Sequence, residues 1–288
     1  MKPSPYQIMS FTHVARARSF SRAAEQLGVT QSSVTQHIAK LEKNMGTLLF
    51  VRRRDGVELT QTARELFALS DRMRTLEELI TEKVASYGDL SSGHLRIIAN
   101  APRPAMPLVA EYTRRYPGIE IYFSLHDWTT AMELLRDREV DIGVVTEPRP
   151  IEGEFICELG RSPYMAYIRR DHPLAGQGVL SLQDLSETLV ILPEDGSFTQ
   201  RVVAQKCAEL GMPLTRTMKT RSSPVLKEAV LHGVGIGLFL DDSMFPSQSL
   251  VALPIREMPE TYGHYLVTPR DKQNLRLIRS FAELADSD

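Results

Sequence analysis

The chain has little of what several protein classes require: two cysteines, one tryptophan, and no apolar run near the roughly 20 residues that span a bilayer. Cys157 and Cys207 stand far apart, outside any CxxC or Cys/His cluster. Neither a disulfide framework nor zinc is expected, and both read as reduced, buried thiols. The seven histidines show no metal-ligand spacing. There is no GxSxG elbow and no Walker A loop, and the run Gly233-Val234-Gly235-Ile236-Gly237 lacks the acidic partner of a dinucleotide fingerprint. Catalytic residues, a metal and a cofactor are therefore not expected. The opening MKPSPYQIMSF lacks the apolar core of a secretion signal, which makes the cytoplasm the expected location and a membrane an unexpected partner.

An excess of one charge is missing too, since 34 Lys and Arg face 36 Asp and Glu for a net charge of −2. The distribution is more informative than the total. Residues 1 to 64 hold 10 basic and 4 acidic side chains, and the remainder holds 24 and 32. A head of +6 on a body of −8 is the electrostatic footprint of a nucleic-acid-binding domain joined to an acidic partner domain. The 42% hydrophobic content is enough for separate cores.

What is present in the head is a helix-turn-helix pattern from Phe20 to Leu41. Ala23, Ala24, Leu27, Val29, Val34, Ile38 and Leu41 form two helical stripes that meet across a turn at Gly28. Ser21 is the expected cap of the first helix and Thr30 that of the second. The second helix is left with a polar edge of Gln31, Ser32, Ser33, Thr35, Gln36, His37 and Lys40. Amides and hydroxyls in that array can pair with base edges in a major groove, while lysine holds phosphate. After Gly46, two short extended stretches about Asp55-Gly56 predict a hairpin wing. Arg52, Arg53 and Arg54 at its tip would face the backbone or the narrow minor groove.

Residues 60 to 87 then read as one helix with Leu66, Leu69, Met73, Leu76, Ile80 and Tyr87 at a/d spacing, interrupted by Lys83. So narrow an apolar stripe predicts a seam for a second copy of the chain. Asp89-Leu90-Ser91-Ser92-Gly93 predicts a hinge. Beyond it, strands and helices alternate in two comparable sets, which implies an α/β domain of two lobes with a cleft between them. The expected strands are LRIIA, IEIYFSL, VDIGVVT, MAYIR, LVILP and GIGLFL, and the expected helices run to Tyr116, over Thr129 to Arg138, near Gln200 to Leu210 and from Pro224 to His232. Asp141, beside an apolar strand, reads as a structural cap or lobe-packing residue rather than a general base.

The order and spacing of these segments resemble those of LysR-type transcriptional regulators over about residues 6 to 284. The residues that carry the resemblance are the helix-turn-helix, Leu41-Glu42, Met45-Gly46, Leu49-Phe50, Leu59-Thr60, Gly93 to Ile97, Tyr116-Pro117-Gly118, Val140-Asp141-Ile142, Asp171-His172-Pro173-Leu174 and the 233–237 glycine run. Ala63 departs from the family, which usually has glycine there, and the loop after Leu95-Arg96-Ile97 is short. That loop and Gly196 to Arg201 resemble a subgroup associated with aminoethylphosphonate catabolism.

The resemblance implies a winged helix-turn-helix at 1–60, a linker and dimerisation helix with its hinge at 61–90, and a periplasmic-binding-protein-like effector domain at 91–288. Lobe 1 would take about 91–163 and 268–288, and lobe 2 about 164–267. The implied partners are double-stranded promoter DNA, a small-molecule effector, a second copy through the linker helix, a tetramer and RNA polymerase. Carried onto this sequence, the effector cleft comprises Asn100, Ala101, Arg103, Asp127, Trp128, Thr146, Gly196, Ser197, Thr199 and Ser222. Hydroxyls and amides at helix starts, with Arg103, favour an anionic or zwitterionic metabolite. The alternatives are a redox-responsive regulator using Cys157 or Cys207 and a metabolic enzyme with an accessory helix-turn-helix.

Overall fold

A computed structural model describes residues 2–53, 56–84, 92–150, 153–243 and 247–285. They form two compact units, one built on the chain up to Val84 and the other on most of the chain from Ser92. Among the described residues no helix is long and apolar enough to cross a membrane.

The first unit contains α1 (Pro5–Ala17), α2 (Phe20–Leu27), α3 (Gln31–Met45), the hairpin β1 (Phe50–Arg53) and β2 (Gly56–Leu59), and α4 (Gln61–Val84). Ser4 and Gln7 start α1 with a reciprocal capping box. Ser19, not Ser21, caps α2: its hydroxyl accepts from the Arg22 amide, because the helix begins at Phe20 and leaves Ser21 inside the first turn. There Ser21 donates to Gln31 Oε1 at 2.9 Å. Thr30 caps α3 as expected, accepting from the Ser33 amide at 3.2 Å.

Phe11, Ala23, Val34, Ile38, Leu41 and Leu49 are buried in one core with Phe50 and Val57 of the hairpin and Phe67 of α4. Each large apolar side chain buried there contributes about 1.5 to 3 kcal/mol. Val29, expected in the stripe, is 45% exposed because it lies in the turn between the helices. Ala63 is fully buried in the same core. On α4, Leu69, Met73, Leu76 and Ile80 are all more than half exposed. Arg54, Asp55, Tyr87 and the hinge residues Asp89 to Ser91 lie outside the described residues.

In the second unit β3 (Gly93–Ala99) pairs in parallel with β4 (Ile119–Leu125) and β5 (Ile142–Thr146), with α5 (Pro102–Arg115) and α6 (Trp128–Arg136) as crossovers. β6 (Glu154–Arg169) follows, then α7 (Leu182–Ser186), β7 (Val190–Pro193), α8 (Phe198–Leu210), β8 (Thr217–Thr220), α9 (Ser223–Leu231), β9 (Ile236–Leu240), β10 (Leu250–Pro254), β11 (Thr261–Pro269) and α10 (Arg276–Ala285). The strand order is β4-β3-β5-β11-β6-β9-β7-β8, with β10 also on β6.

β6 belongs to both lobes. Glu154 to Pro163 pair with β11 beside β5, and Tyr164 to Arg169 pair with β9 and β10. The expected extended segment MAYIR is only the end of this strand, whose earlier residues alternate with charged ones and give no continuous apolar signal. The chain re-enters the first lobe at Thr261, where β11 begins, rather than at about 268, because β11 must fill the place between β5 and β6.

Asp141 ties the first lobe together. Its Oδ2 accepts from the Arg96 amide at 3.1 Å, and its Oδ1 lies 3.0 Å from Nζ of the fully buried Lys272. Gly235, in the glycine run, is required by packing: a Cβ there would collide with the Leu189 carbonyl oxygen.

Candidate nucleic-acid interface and ligand cleft

The apolar side of α3 faces the head core, so its other side is committed to solvent. Gln31, Ser32, Thr35, Gln36 and Lys40 are exposed and Ser33 is half-buried. His37 is half-buried as well, because its Nδ1 hydrogen-bonds Ser10 Oγ at 2.8 Å. Thr35 satisfies its hydroxyl on the Gln31 carbonyl, as helical threonines do, which leaves its methyl outward. Thr30 works mainly within the helix start, contacting the hydroxyls of Ser32 and Ser33 as well as the Ser33 amide. The α3 surface can therefore offer two side-chain amides, serine hydroxyls and one ammonium.

On the hairpin Arg52 and Arg53 are exposed. Arg53 Nε donates to Glu58 Oε2 at 2.9 Å, whereas Arg52 has no ion pair among the described residues. Arg52 is thus the more available cation for a phosphate.

The cleft residues occupy strand ends and helix starts of the second unit. Asn100 follows β3 and Thr146 ends β5, and the two are bonded directly: Thr146 N donates to Asn100 Oδ1 at 3.0 Å and Asn100 Nδ2 to Thr146 Oγ1 at 3.2 Å. Thr146 Oγ1 also meets Nδ1 of the buried His264 at 3.0 Å, and His264 Nε2 lies 2.7 Å from Asp242. His264 gave no sequence signal, since only β11 pairing brings it beside Thr146. Trp128 is 3% exposed and its Nε1 donates to the Thr146 carbonyl at 2.7 Å.

Asp127 starts α6, accepting from the amides of Thr129 and Thr130 and from the Thr130 hydroxyl. Burial pushes its carboxyl up, but these hydrogen bonds outweigh it and hold the group below its ordinary 3.8. Gly196 meets this cap across the cleft. Its carbonyl accepts from the Thr129 hydroxyl at 3.1 Å, and at φ +98° a side chain there would be strained and would crowd Asp127.

Ser197 N-caps α8 without bonding the helix amides through its side chain, and Thr199 accepts from the buried Tyr164 hydroxyl at 3.2 Å. Ala101 stands at the N-cap of α5. Burial and the Asp241 carboxylate push the Tyr167 phenol up, and the charge of Arg103, two residues on from Ala101, opposes them only in part. Tyr167 itself donates to Asp241 at 2.9 Å. Ser222 caps α9 by accepting from the Val225 amide. Asn100, Trp128 and Thr146 are thus gathered into one bonded group, as are Asp127 and Gly196.

The thiols do not favour the redox alternative. Cys207 sits in the core of the second lobe, where burial pushes its pKa up, and Cys157 is half-buried on β6.

Two family models cover most of the chain: "Bacterial regulatory helix-turn-helix protein, lysR family" matches residues 6–64, and "LysR substrate binding domain" matches residues 88–287. The RuBisCO operon transcriptional regulator of Allochromatium vinosum is 29% identical, covering 100% of this chain and 97% of its own. A full-length OxyR variant from Pseudomonas aeruginosa has the same fold, with a TM-score of 0.82 at 18% identity over 100% of this chain and 96% of its own. The regulatory domain of Synechocystis CcmR in complex with 2-PG gives a TM-score of 0.60 at 24% identity, covering 67% of this chain and 96% of that domain. These matches carry the family and not the aminoethylphosphonate subgroup. The chain belongs to the LysR family of transcriptional regulators, with a helix-turn-helix head and an effector-binding α/β domain in place of any enzyme active site.

Proposed function

We propose that α3 reads operator DNA in the major groove through Gln31, Ser32, Ser33, Thr35 and Gln36, oriented by the Thr30 cap. Lys40, Arg52 and Arg53, with Arg54 next in sequence, hold the sugar-phosphate backbone. The observation that carries this reading is the exposed polar edge of α3, Gln31, Ser32, Thr35, Gln36 and Lys40, on a buried helix-turn-helix core. The exposed seam Leu69, Met73, Leu76 and Ile80 supports pairing of two copies along α4, which brings two heads to two half-sites. Assembly into a tetramer and contact with RNA polymerase follow from the family, as does a division into head (1–60), linker (61–90) and effector domain (91–288).

The second half of the reading is a small anionic or zwitterionic effector between the lobes, among Asn100, Arg103, Asp127, Thr146, Ser197, Thr199 and Ser222. The related CcmR domain was solved with 2-PG, which supports a small ligand for a domain of this shape. The protein acts in the cytoplasm on this reading, where promoter DNA and metabolites meet.

The test is a gel shift with the chain's own upstream intergenic DNA at several salt concentrations. Gln36→Ala should change sequence preference, with about 1 to 3 kcal/mol lost at one base pair. Arg52→Ala should weaken binding to every sequence and lower the salt slope by about one. Equal effects of both variants on all sequences would overturn the assigned roles.

A further inference from the structure

Trp128 carries two guanidinium groups. Arg201, in the first turn and a half of α8, places its Cζ 3.8 Å from the indole centroid, and Arg149, beyond β5, places its Cζ 5.1 Å from the same centroid. One arrives from each lobe. Neither has an ion pair among the described residues, and the Nε of Arg201 is buried with no hydrogen-bond partner. Most other arginines around them are matched by carboxylates, such as Arg161 with Glu147 and Arg221 with Glu194.

Among the described residues the compensation for these like charges is aromatic: the indole face takes both, and the Phe198 ring lies 5.6 Å from the Arg201 Cζ, while Arg149 is exposed. A cation over tryptophan is favourable, yet it gives the buried Nε–H of Arg201 no acceptor. Burial and the neighbouring Arg149 push the pKa of Arg201 down, which expresses the same unmet charge. Glu147 supports the arrangement. It holds a left-handed φ of 41°, its amide donates to the Gly263 carbonyl and its carboxylate accepts from the Gly263 amide, so the chain leaving β5 is turned at a fixed point before Arg149.

We infer that Arg201 and Arg149 form the clamp that recognises an oxyanion head (carboxylate, phosphonate or sulfonate) of the effector, with Trp128 as the platform that orients them. The inference rests on the reading that an effector lies between the lobes. It assigns the anion to the Trp128 side of the cleft and to two residues that sequence reasoning did not select. Arg201 offers a fork of donors to two oxygens, a geometry that lysine cannot reproduce.

Trp128 is the chain's single tryptophan, so its emission reports on this site directly. The full chain is titrated with aminoethylphosphonate, taurine and β-alanine, which share one arm and differ in the oxyanion, and with ethylamine, which has none. Heat of binding and Trp128 emission are recorded together. At least one oxyanion probe should bind and change the emission saturably, and ethylamine should do neither. Arg201→Gln should weaken that probe by about tenfold or more, Arg149→Gln by about threefold, and Arg201→Lys by an amount between them. The ligand-free Arg201→Gln chain should melt close to the parent, since the replaced group gives up its place over Trp128 and Phe198 but no hydrogen bond or ion pair.

If Arg201→Gln and Arg149→Gln bind the probe within twofold of the parent while Asn100→Ala weakens it, the cleft reading stands and the clamp falls. A marked loss of melting temperature in ligand-free Arg201→Gln would also overturn the clamp and make the arginine a structural brace. If no probe binds, or binding leaves Trp128 emission unchanged, both readings fall.

Discussion

On α3 Gln31, Ser32, Thr35, Gln36 and Lys40 are exposed, and Gln36 and Lys40 make no side-chain hydrogen bond among the described residues. In the cleft the polar groups are bonded to one another: Asn100 to Thr146, Thr146 to His264, Trp128 to the Thr146 carbonyl, and Asp127 to its own helix. The first surface is open to an extended partner whose groove supplies acceptors and donors all along it. The second is a braced frame in which few groups are left for a guest. The difference teaches how to read each region: exposure marks the residues proposed to face DNA, whereas in the cleft the informative groups are the few that the frame leaves unmatched.

Breaking the frame should therefore cost far more than trimming the helix edge. Asp141→Ala removes the carboxylate that joins β3 to the buried Lys272, and a loss of about 3 kcal/mol is expected from deleting one partner of a buried ion pair. Chemical denaturation followed by far-UV circular dichroism measures it, and a loss below about 1 kcal/mol would show that the frame is softer than the comparison requires. Thr30→Ala probes the boundary of the other region, since Thr30 caps α3 without belonging to its outer face. Removal of the cap should cost about 1 kcal/mol and weaken DNA binding through a frayed first turn, without altering sequence preference. A changed preference would move Thr30 onto the reading face.

The smallest effect concerns pH. The folded Asp127 carboxyl titrates below its ordinary 3.8, so its cap contributes fully above that range and the contribution fades as pH falls through the folded value. Asp127→Asn should lose the ionised cap's contribution near neutrality and converge on the parent at acid pH, so that its stability curve is the flatter of the two on the acid side. Melting temperatures of parent and variant across acidic buffers check this, and parallel curves would remove Asp127 from the ionised braces.

The head was legible because its determinants are local. A 3.6-residue apolar period, a left-handed Gly28 and a threonine cap specify α2 and α3 within some twenty residues. A two-residue offset at the start of α2 misplaced the cap from Ser19 to Ser21. Strands β3 and β5 were legible for the same reason, since continuous apolar runs mark buried strands, and the edge strand β4 by its β-branched and aromatic residues. The rest was set by long-range pairing. The first part of β6 mixes charged and apolar residues, and its strand character depends on β11, about a hundred residues later. Arg149 and Arg201 carry no local pattern at all, and their significance arises only when both arrive on Trp128.

β11 lies in the middle of the first lobe's sheet, between β5 and β6, although about a hundred residues of chain separate it from either neighbour's start. A growing chain can complete the helix-turn-helix head, whose core comes entirely from early residues, long before that central gap is filled. A product halted ahead of Thr261 would retain the DNA-reading helix but lack the strand that seats His264 against Thr146. Translation to completion is thus what joins the capacity to occupy a promoter with the capacity to be governed there.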